Sequence, residues 1–295
     1  MRKKILVVIF VLSILAASCG SSPQKSITIG SKDFTEQYIV AEMYAQLLEE
    51  EGFAVERKLG LGGTPVAQAT MLSGDIDLYP EYTGTGLLTV LKEPVETDAE
   101  VVYEIVADGY LELFNFVWLD PAPMNNTQAL AVSRSLAEER DLYTISDLAA
   151  QAGDLIMIGP AEFTEREDGL PGLKLNYGEF ELQEYKAVEK GLRYAAIQDG
   201  QADVVVAFGT DGEIAAFDLI VLEDDQGMFP PYQVAPVING DVVETYPEIA
   251  DILNPATGLL TNEVMQQLNY QVSGEGQEPA AVAREFLVAN GLLGQ

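Results

Sequence analysis

Aromatic and cationic side chains recur in this sequence where a strand should end and a loop begin. Tyr82 follows Gly74 by eight residues, and Phe208 follows Gly200 by eight. Lys32 lies just past an alternating segment at 26–30, and Arg166 lies a few residues past an apolar one at 155–158. Ring faces attract cations that cannot donate a hydrogen bond, and Lys and Arg can hold a carboxylate taken from water. Together these types suit a small solute with an anionic end and an apolar or cationic end. Other chemistry is poorly supplied. The chain has no histidine and a single cysteine, Cys19. The usual general base and a zinc-type ligand cluster are therefore missing, and no thiol nucleophile remains beyond Cys19. Acid pairs such as Asp75 with Asp77, or Asp224 with Asp225, are expected by chance among 47 acidic residues. No Walker-type glycine loop is present. A binding protein rather than an enzyme is expected, with no cofactor and no metal.

The two ring positions belong to a longer internal repeat. Residues 27–37 read ITIGSKDFTEQ and residues 156–166 read IMIGPAEFTER, an offset of 129. Residues 74–78 (GDIDL) and 200–204 (GQADV) are offset by 126, each followed by its ring. The near-constant spacing predicts two similar lobes. Each would bring a strand-end loop and a ring to a shared cleft.

Periodicity supplies the elements that must carry these residues. Alternation predicts a strand over 26–30. Apolar positions at Tyr38, Ile39, Ala41, Tyr44, Ala45, Leu47 and Leu48 predict a helix over 35–51, capped by Thr35 and stopped by Gly52. A strand over 53–59, a helix over 65–72 and a strand over 76–79 ended by Pro80 follow. This alternation implies a parallel sheet with crossovers. Helices are expected over 101–114, 145–152 (capped by Ser146) and 188–198. Strands are expected over 115–119, 128–133, 155–158, 203–208 and 217–222. Residues 234–238 suit a strand returning to the first lobe, and helices over 240–253, 261–271 and 279–290 complete the chain. Ligands of open parallel sheets bind beyond the carboxyl ends of the strands. That rule picks out Lys32, Tyr79, Tyr82 and Thr85 in one lobe, and Arg166, Phe208, Thr210 and Asp211 in the other.

The N-terminus indicates export. Arg2, Lys3 and Lys4 precede an apolar run at 5–15, too short for a good membrane span, and residues 1–18 read as a signal peptide. Ala16-Ala17-Ser18-Cys19 is similar to a bacterial lipobox, with Ala16 where leucine is usual. Cys19 is therefore expected to be lipidated, and residues 19–25 to form a flexible tether. A lone cysteine leaves no internal disulfide. Length beyond the tether favours two lobes. A net charge of −31 repels nucleic acid and anionic lipid heads. The acidity reads as solvation, with a field favouring cationic ligands as the alternative.

Longer motifs carry a family resemblance. SKDFTEQ at 31–37, LGGTP at 61–65, DLYPEYTGTG at 77–86, NNT at 125–127, REDGLPGL at 166–173 and FPPY at 229–232 resemble the substrate-binding proteins of osmoprotectant ABC importers. These take up glycine betaine, choline, carnitine and related quaternary amines. The resemblance runs from about Ile27 to the C-terminus. It implies an α/β periplasmic-binding-protein fold of the second type, with two lobes, two hinge crossovers and one ligand in the central cleft. Residues 26–126 with 233–295 would form lobe 1, and residues 127–232 lobe 2. It further implies a membrane permease and its separate ATPase as partners; the protein they serve is expected to be an extracytoplasmic monomer, lipid-anchored to the cell membrane or periplasmic.

By this resemblance the cage for a quaternary ammonium falls on Tyr82, Gln128, Phe208 and Tyr232, where the family has tyrosine at all four. The carboxylate grip falls on Lys32, Thr85 and Arg166, and Asn126 is placed to present its carbonyl to the cationic head. Each ring face contributes roughly 0.5–2 kcal/mol. Phe208 keeps a ring without its hydroxyl, and Gln128 removes a ring. Three readings of Gln128 stand open: weaker amine binding, an amide that meets a polar group on a different solute, or a side chain that faces away while Tyr79 closes the cage. A ligand-sensing lipoprotein would share the same cleft.

Overall fold

In the computed structural model, residues 25–165, 168–188 and 192–294 are described. The signal segment, Cys19 and Arg166 lie outside the described residues, so the expectations placed on them are not addressed by the fold. The strands are β1 (Ser26–Gly30), β2 (Ala54–Lys58), β3 (Leu78–Tyr82), β4 (Phe116–Trp118), β5 (Gln128–Ser133), β6 (Ile156–Gly159), β7 (Glu184–Ala187), β8 (Val204–Phe208), β9 (Leu219–Val221) and β10 (Val234–Asn239). They form two five-stranded sheets in the orders β2-β1-β3-β10-β4 and β7-β6-β8-β5-β9. The chain passes to the second sheet after Trp118 and returns before Val234.

The internal repeat is a structural one. In the first sheet Asp77 Oδ2 accepts from Thr28 N at 2.7 Å, while Asp77 N donates to Thr28 O at 2.8 Å. In the second sheet Asp203 Oδ2 accepts from Ile156 N and Asp203 N donates to Ile156 O, both at 2.8 Å. The two aspartates thus lock a neighbouring strand rather than face a ligand.

Strand alternation gives each sheet a core on both faces. Ile27, Ile29, Leu78, Tyr82, Val234 and Ile238 pack on one face of the first sheet, under α1 (Thr35–Glu50) and the C-terminal helices. Tyr79, Phe116, Trp118, Ala235 and Val237 pack on the other. In the second sheet Leu130, Val132, Val204 and Val206 point one way, and Ala129, Ala131, Val205 and Ala207 the other. The β-branched run in β8 suits a central strand buried on both faces.

Several expectations need correction. Both sheets are mixed rather than parallel, because β10 runs antiparallel to β3 and β4, and β5 antiparallel to β8 and β9. Periodicity reports which face is apolar but not strand direction. Pro80 does not end β3. It lies opposite Pro236, between the positions where Thr83 N donates to Gln233 O and Asn239 N to Asp77 O. Hydrogen-bonded pairs alternate in an antiparallel ladder, so neither proline interrupts a bond between these two strands. In the segment expected as one helix over 188–198 the described helix is the short α7 (Arg193–Gln198), and strand β7 ends before the segment, at Ala187. The helix expected over 240–253 is two, α9 (Gly240–Thr245) and α10 (Ile249–Thr257), split where Pro247 restricts the residue before it. The cap of α5 (Ile145–Gln151) is Thr144, whose side chain pairs reciprocally with Asp147 in a capping box, not Ser146. Thr35 is the first residue of α1 rather than its cap. The remaining α-helices longer than three residues are α2 (Thr64–Leu72), α3 (Ala99–Phe114), α4 (Arg134–Arg140), α6 (Leu170–Tyr177), α8 (Gly212–Ala216), α11 (Asn262–Ser273) and α12 (Pro279–Ala289).

The two crossovers run side by side. Ala122 N donates to Val234 O at 2.8 Å, Asn126 N to Tyr232 O at 3.0 Å, and Tyr232 N to Asn125 Oδ1 at 2.7 Å. They hold the ring-bearing strand ends of the two sheets near one another.

Candidate ligand-binding site

Tyr82 ends β3, Phe208 ends β8, and Gln128 begins β5 directly opposite Phe208. Asn126 and Tyr232 lie on the paired crossovers. The glycines beside the two rings show how closely these parts meet. A Cβ on Gly84 would lie 2.7 Å from Pro231 O and 2.9 Å from the Tyr232 ring. A Cβ on Gly209 would lie 2.4 Å from Asn125 O. The turn after each ring is therefore pressed onto a crossover, and only glycine fits there. Five of the expected residues, Tyr82, Asn126, Gln128, Phe208 and Tyr232, collect around the crossovers. Thr85 sits half-buried in the helical turn that follows Tyr82.

Tyr82 is held from several sides. Its hydroxyl donates to Glu36 Oε1 at 2.7 Å, and Phe34 stacks on its ring at 6.1 Å between centroids. Lys32 Nζ stands 4.6 Å from the ring centroid. This lysine is 5% exposed and is already paired with Glu81 Oε1 at 2.5 Å, with Thr64 Oγ1 at 3.2 Å. It is a buried cation with a resident carboxylate. A ligand carboxylate reaching Lys32 shares it with Glu81.

Phe208 has a comparable support on different residues. The Arg193 guanidinium lies 5.5 Å from its ring centroid and 4.9 Å from that of Tyr194. Arg193 is buried and donates from Nη2 to Asp211 Oδ2 at 2.5 Å. The same carboxylate oxygen accepts from Phe208 N at 2.8 Å. Gln128 Nε2 donates to Asp168 Oδ2 at 2.7 Å. Tyr79 does not complete a cage with Tyr82. It points to the opposite face of β3, fully buried, with its hydroxyl on Gln68 Oε1 and Glu81 Oε2.

The chain matches a known family. The family model OpuAC, the substrate-binding domain of ABC-type glycine betaine transport systems, covers residues 25–289. The chain belongs to this family of binding proteins. The chain is 34% identical to the "Glycine betaine-binding protein YehZ" of Escherichia coli (strain K12), over 94% of each chain. It is 34% identical to the "Ergothioneine transport permease/ergothioneine binding protein EgtU" of Helicobacter pylori (strain G27) over 96% of its own length, and spans 52% of that longer protein. A solved structure described as a glycine betaine/carnitine/choline ABC transporter superposes with a TM-score of 0.87 at 31% identity, covering 91% of this chain and 99% of that one. The fold is that of the type-2 periplasmic binding proteins: two α/β lobes, here with mixed sheets.

In this binding protein a third element joins the lobes at the site. Asn262, Gln266 and Asn269 lie at i, i+4 and i+7 on one stripe of α11. Asn262 Nδ2 donates to Asn125 O at 3.2 Å and to Gly209 O at 3.0 Å, and Gln266 Nε2 to Gly209 O at 2.9 Å. Asn269 Nδ2 donates to Thr210 O at 2.8 Å and to Glu36 Oε2 at 3.0 Å. Glu36 also accepts from Asn126 Nδ2 at 2.9 Å. One buried carboxylate thus ties Tyr82, a crossover, α11 and the Phe208 turn together. Burial raises its pKa above the ordinary 4.5, and the bonds from Thr210, Tyr82, Asn269 and Asn126 oppose that rise.

Sequence reasoning missed Glu36, Glu81, Asp168, Arg193 and the amide stripe. Glu36 and Glu81 were within quoted motifs, and burial was the property unseen. The i, i+4, i+7 spacing of amides was the available signal for α11. Gln37, the last residue of the SKDFTEQ motif, is held within the protein: it accepts from Lys32 N and donates to Pro80 O. Among the described residues no group of three or more acids, histidines or cysteines is placed to hold a metal ion.

Proposed function

We infer that this protein captures a quaternary-amine osmoprotectant of the glycine betaine, choline or carnitine type outside the cytoplasm and delivers it to an ABC permease driven by a separate ATPase. The observation that supports this reading is the placement of Tyr82 and Phe208 at strand ends of the two sheets, with the turn after Tyr82 packed on the Tyr232 ring and the turn after Phe208 packed on the Asn125 carbonyl. A quaternary ammonium has no N–H, so it is held by ring faces in a site from which water is displaced. Tyr82 supplies the most firmly held face, because its hydroxyl and its ring are both anchored. Lys32, Thr85 and Arg166 are the proposed partners of a ligand carboxylate, with Lys32 shared with Glu81.

Closure follows from the connections. One lobe captures solute, the other turns onto it, and the crossovers absorb the rotation. The proposed lobe boundaries, residues 26–126 with 233–295 and residues 127–232, place those crossovers at the hinge. Cys19 is proposed as the lipid anchor of a monomer, tethered through residues 19–25. No helix among the described residues is long and apolar enough to cross a membrane. The reading assigns no catalytic step to the chain.

Gln128 favours a second reading within the same class, in which the solute is a more polar one or an amino acid. A calorimetric panel of glycine betaine, choline, carnitine and neutral amino acids decides between them. Saturable binding of one or more quaternary amines supports the first. Binding of amino acids alone contradicts it.

A further inference from the structure

One helix carries two faces that serve different lobes. Met265 and Leu268 of α11 are buried in the core under the first sheet, with Val264 and Val272 packed against that core. The adjoining stripe of Asn262, Gln266 and Asn269 faces the second lobe, where Gly209 O and Thr210 O accept from it. These carbonyls belong to the turn directly after Phe208. Asn262 also clips the crossover, since its Oδ1 accepts from Asn125 N at 2.8 Å while its Nδ2 donates to Asn125 O. The backbones approach as closely as the side chains allow. A Cβ on Gly212, at the start of α8, would lie 2.6 Å from Tyr270 N and 2.7 Å from Tyr270 Cα. Every one of these contacts joins protein to protein. Moving the Phe208 turn away from α11 would break them, so they favour a closed arrangement whatever solute lies in the cleft.

We propose that α11 is a closing strap. Its amide stripe positions the Phe208 turn against the first lobe and so sets the balance between open and closed forms. Asn262 and Gln266 are then positioning residues, which act on the protein rather than on the solute. Apparent affinity scales with the fraction of protein in the binding-competent form. The strap therefore tunes the affinity for every solute by one common factor, whereas a ring such as Tyr82 acts on the cation itself. This inference rests on closure of the cleft around a solute, and on no particular solute.

The test is Gln266→Leu, which removes one bond while Asn262 still serves Gly209 O, so no carbonyl is left bare. Single-molecule FRET between dyes on introduced cysteines, one exposed residue in each lobe and in a Cys19→Ser background, reads the open-to-closed ratio of the ligand-free protein. That ratio should rise about fivefold, the value of one net hydrogen bond. Gly212→Ala, which pushes on the strap from the second lobe, should move it the same way. Gln267→Leu, the same change on an exposed neighbour, should leave it unchanged. Calorimetry with glycine betaine and with choline should show both dissociation constants rising by a common factor of up to about fivefold in Gln266→Leu. An unchanged FRET ratio in Gln266→Leu, even with a lower unfolding temperature, makes α11 a fixed pivot and overturns the proposal. A loss confined to one of the two amines overturns it as well, because Gln266 then reads the solute. Binding of neither amine by the wild type overturns the amine reading, and the FRET ratio alone then decides the strap.

Discussion

The two lobes support their rings with the same device built from unrelated positions. Tyr82 has the Lys32–Glu81 pair against it, and Phe208 has the Arg193–Asp211 pair. The internal repeat does not account for this. At the offsets of 129 and 126, Lys32 corresponds to Ala161 and Glu81 to Ala207. The second lobe draws its cation from the start of α7 and its carboxylate from the turn after β8 instead. A cation over one face holds a ring in place but draws on its π density, and the paired carboxylate offsets that charge. The rim residues differ as well. Phe34 is 39% exposed and stacks on Tyr82, whereas its counterpart Phe163 is 1% exposed and stacks on Tyr185. Lobe 1 therefore offers a ring that is buried, anchored and doubly backed. Lobe 2 offers a half-buried ring beside a polar wall of Gln128 and Asp168. Capture by lobe 1 and discrimination by lobe 2 is the division of labour this asymmetry suggests.

The largest effect should come from breaking the first ion pair. Lys32→Met leaves Glu81, which is fully buried, without its cation. Removing one partner of a buried pair costs about 3–5 kcal/mol. Arg193→Met should cost less, because the Asp211 side chain is 23% exposed and can be hydrated. Chemical denaturation of both variants checks the order, and equal losses would erase the contrast between the lobes. Gly209→Ala comes next. Its methyl would meet the Asn125 carbonyl at 2.4 Å, and overpacking of this kind costs about 1–3 kcal/mol. The loss should appear in both stability and ligand affinity, since the turn bears Phe208.

Ring deletion sharpens the comparison at the level of binding. Tyr82→Ala should weaken a quaternary amine by about 2 kcal/mol, roughly thirtyfold, and Phe208→Ala by about 1 kcal/mol, roughly fivefold. Titration of each variant with glycine betaine measures this. A larger loss at Phe208 would reverse the assignment of roles. The smallest effect is a pH dependence at Glu36. Its folded pKa is raised above 4.5, so the folded state keeps this proton to higher pH than the unfolded state does. Its contribution to stability is greatest below the ordinary carboxylate range and is lost as pH rises from 4.5 through the raised value. Relative to Glu36→Gln, which stays neutral, the wild type should lose stability over that window. A gap between the two that is independent of pH would contradict the assignment.

The rings and the lobe plan could be read from the chain because they repeat. Tyr82 and Phe208 stand at one offset, and β5 begins and ends where apolar alternation placed it, at Gln128 and Ser133. The ion pairs could not be read this way. Arg193 has no repeat counterpart and lay inside a segment expected to be one longer helix. Burial of Glu36 and Glu81 depends on α11 and β10, which arrive from more than 150 residues away in sequence. Strand direction was equally hidden, since the apolar run of β10 reads the same whichever way it runs. The short β7, Glu-Tyr-Lys-Ala at a sheet edge, carries charges that mask its pattern, as edge strands often do.

The central claim is that one small cation lies between rings supplied by both halves of the molecule. A crystal structure with a bound quaternary amine tests it most directly. The account predicts the ligand nitrogen within about 6 Å of the ring centroids of Tyr82, Phe208 and Tyr232. A nitrogen resting against one lobe alone, with the other ring turned elsewhere, would contradict it.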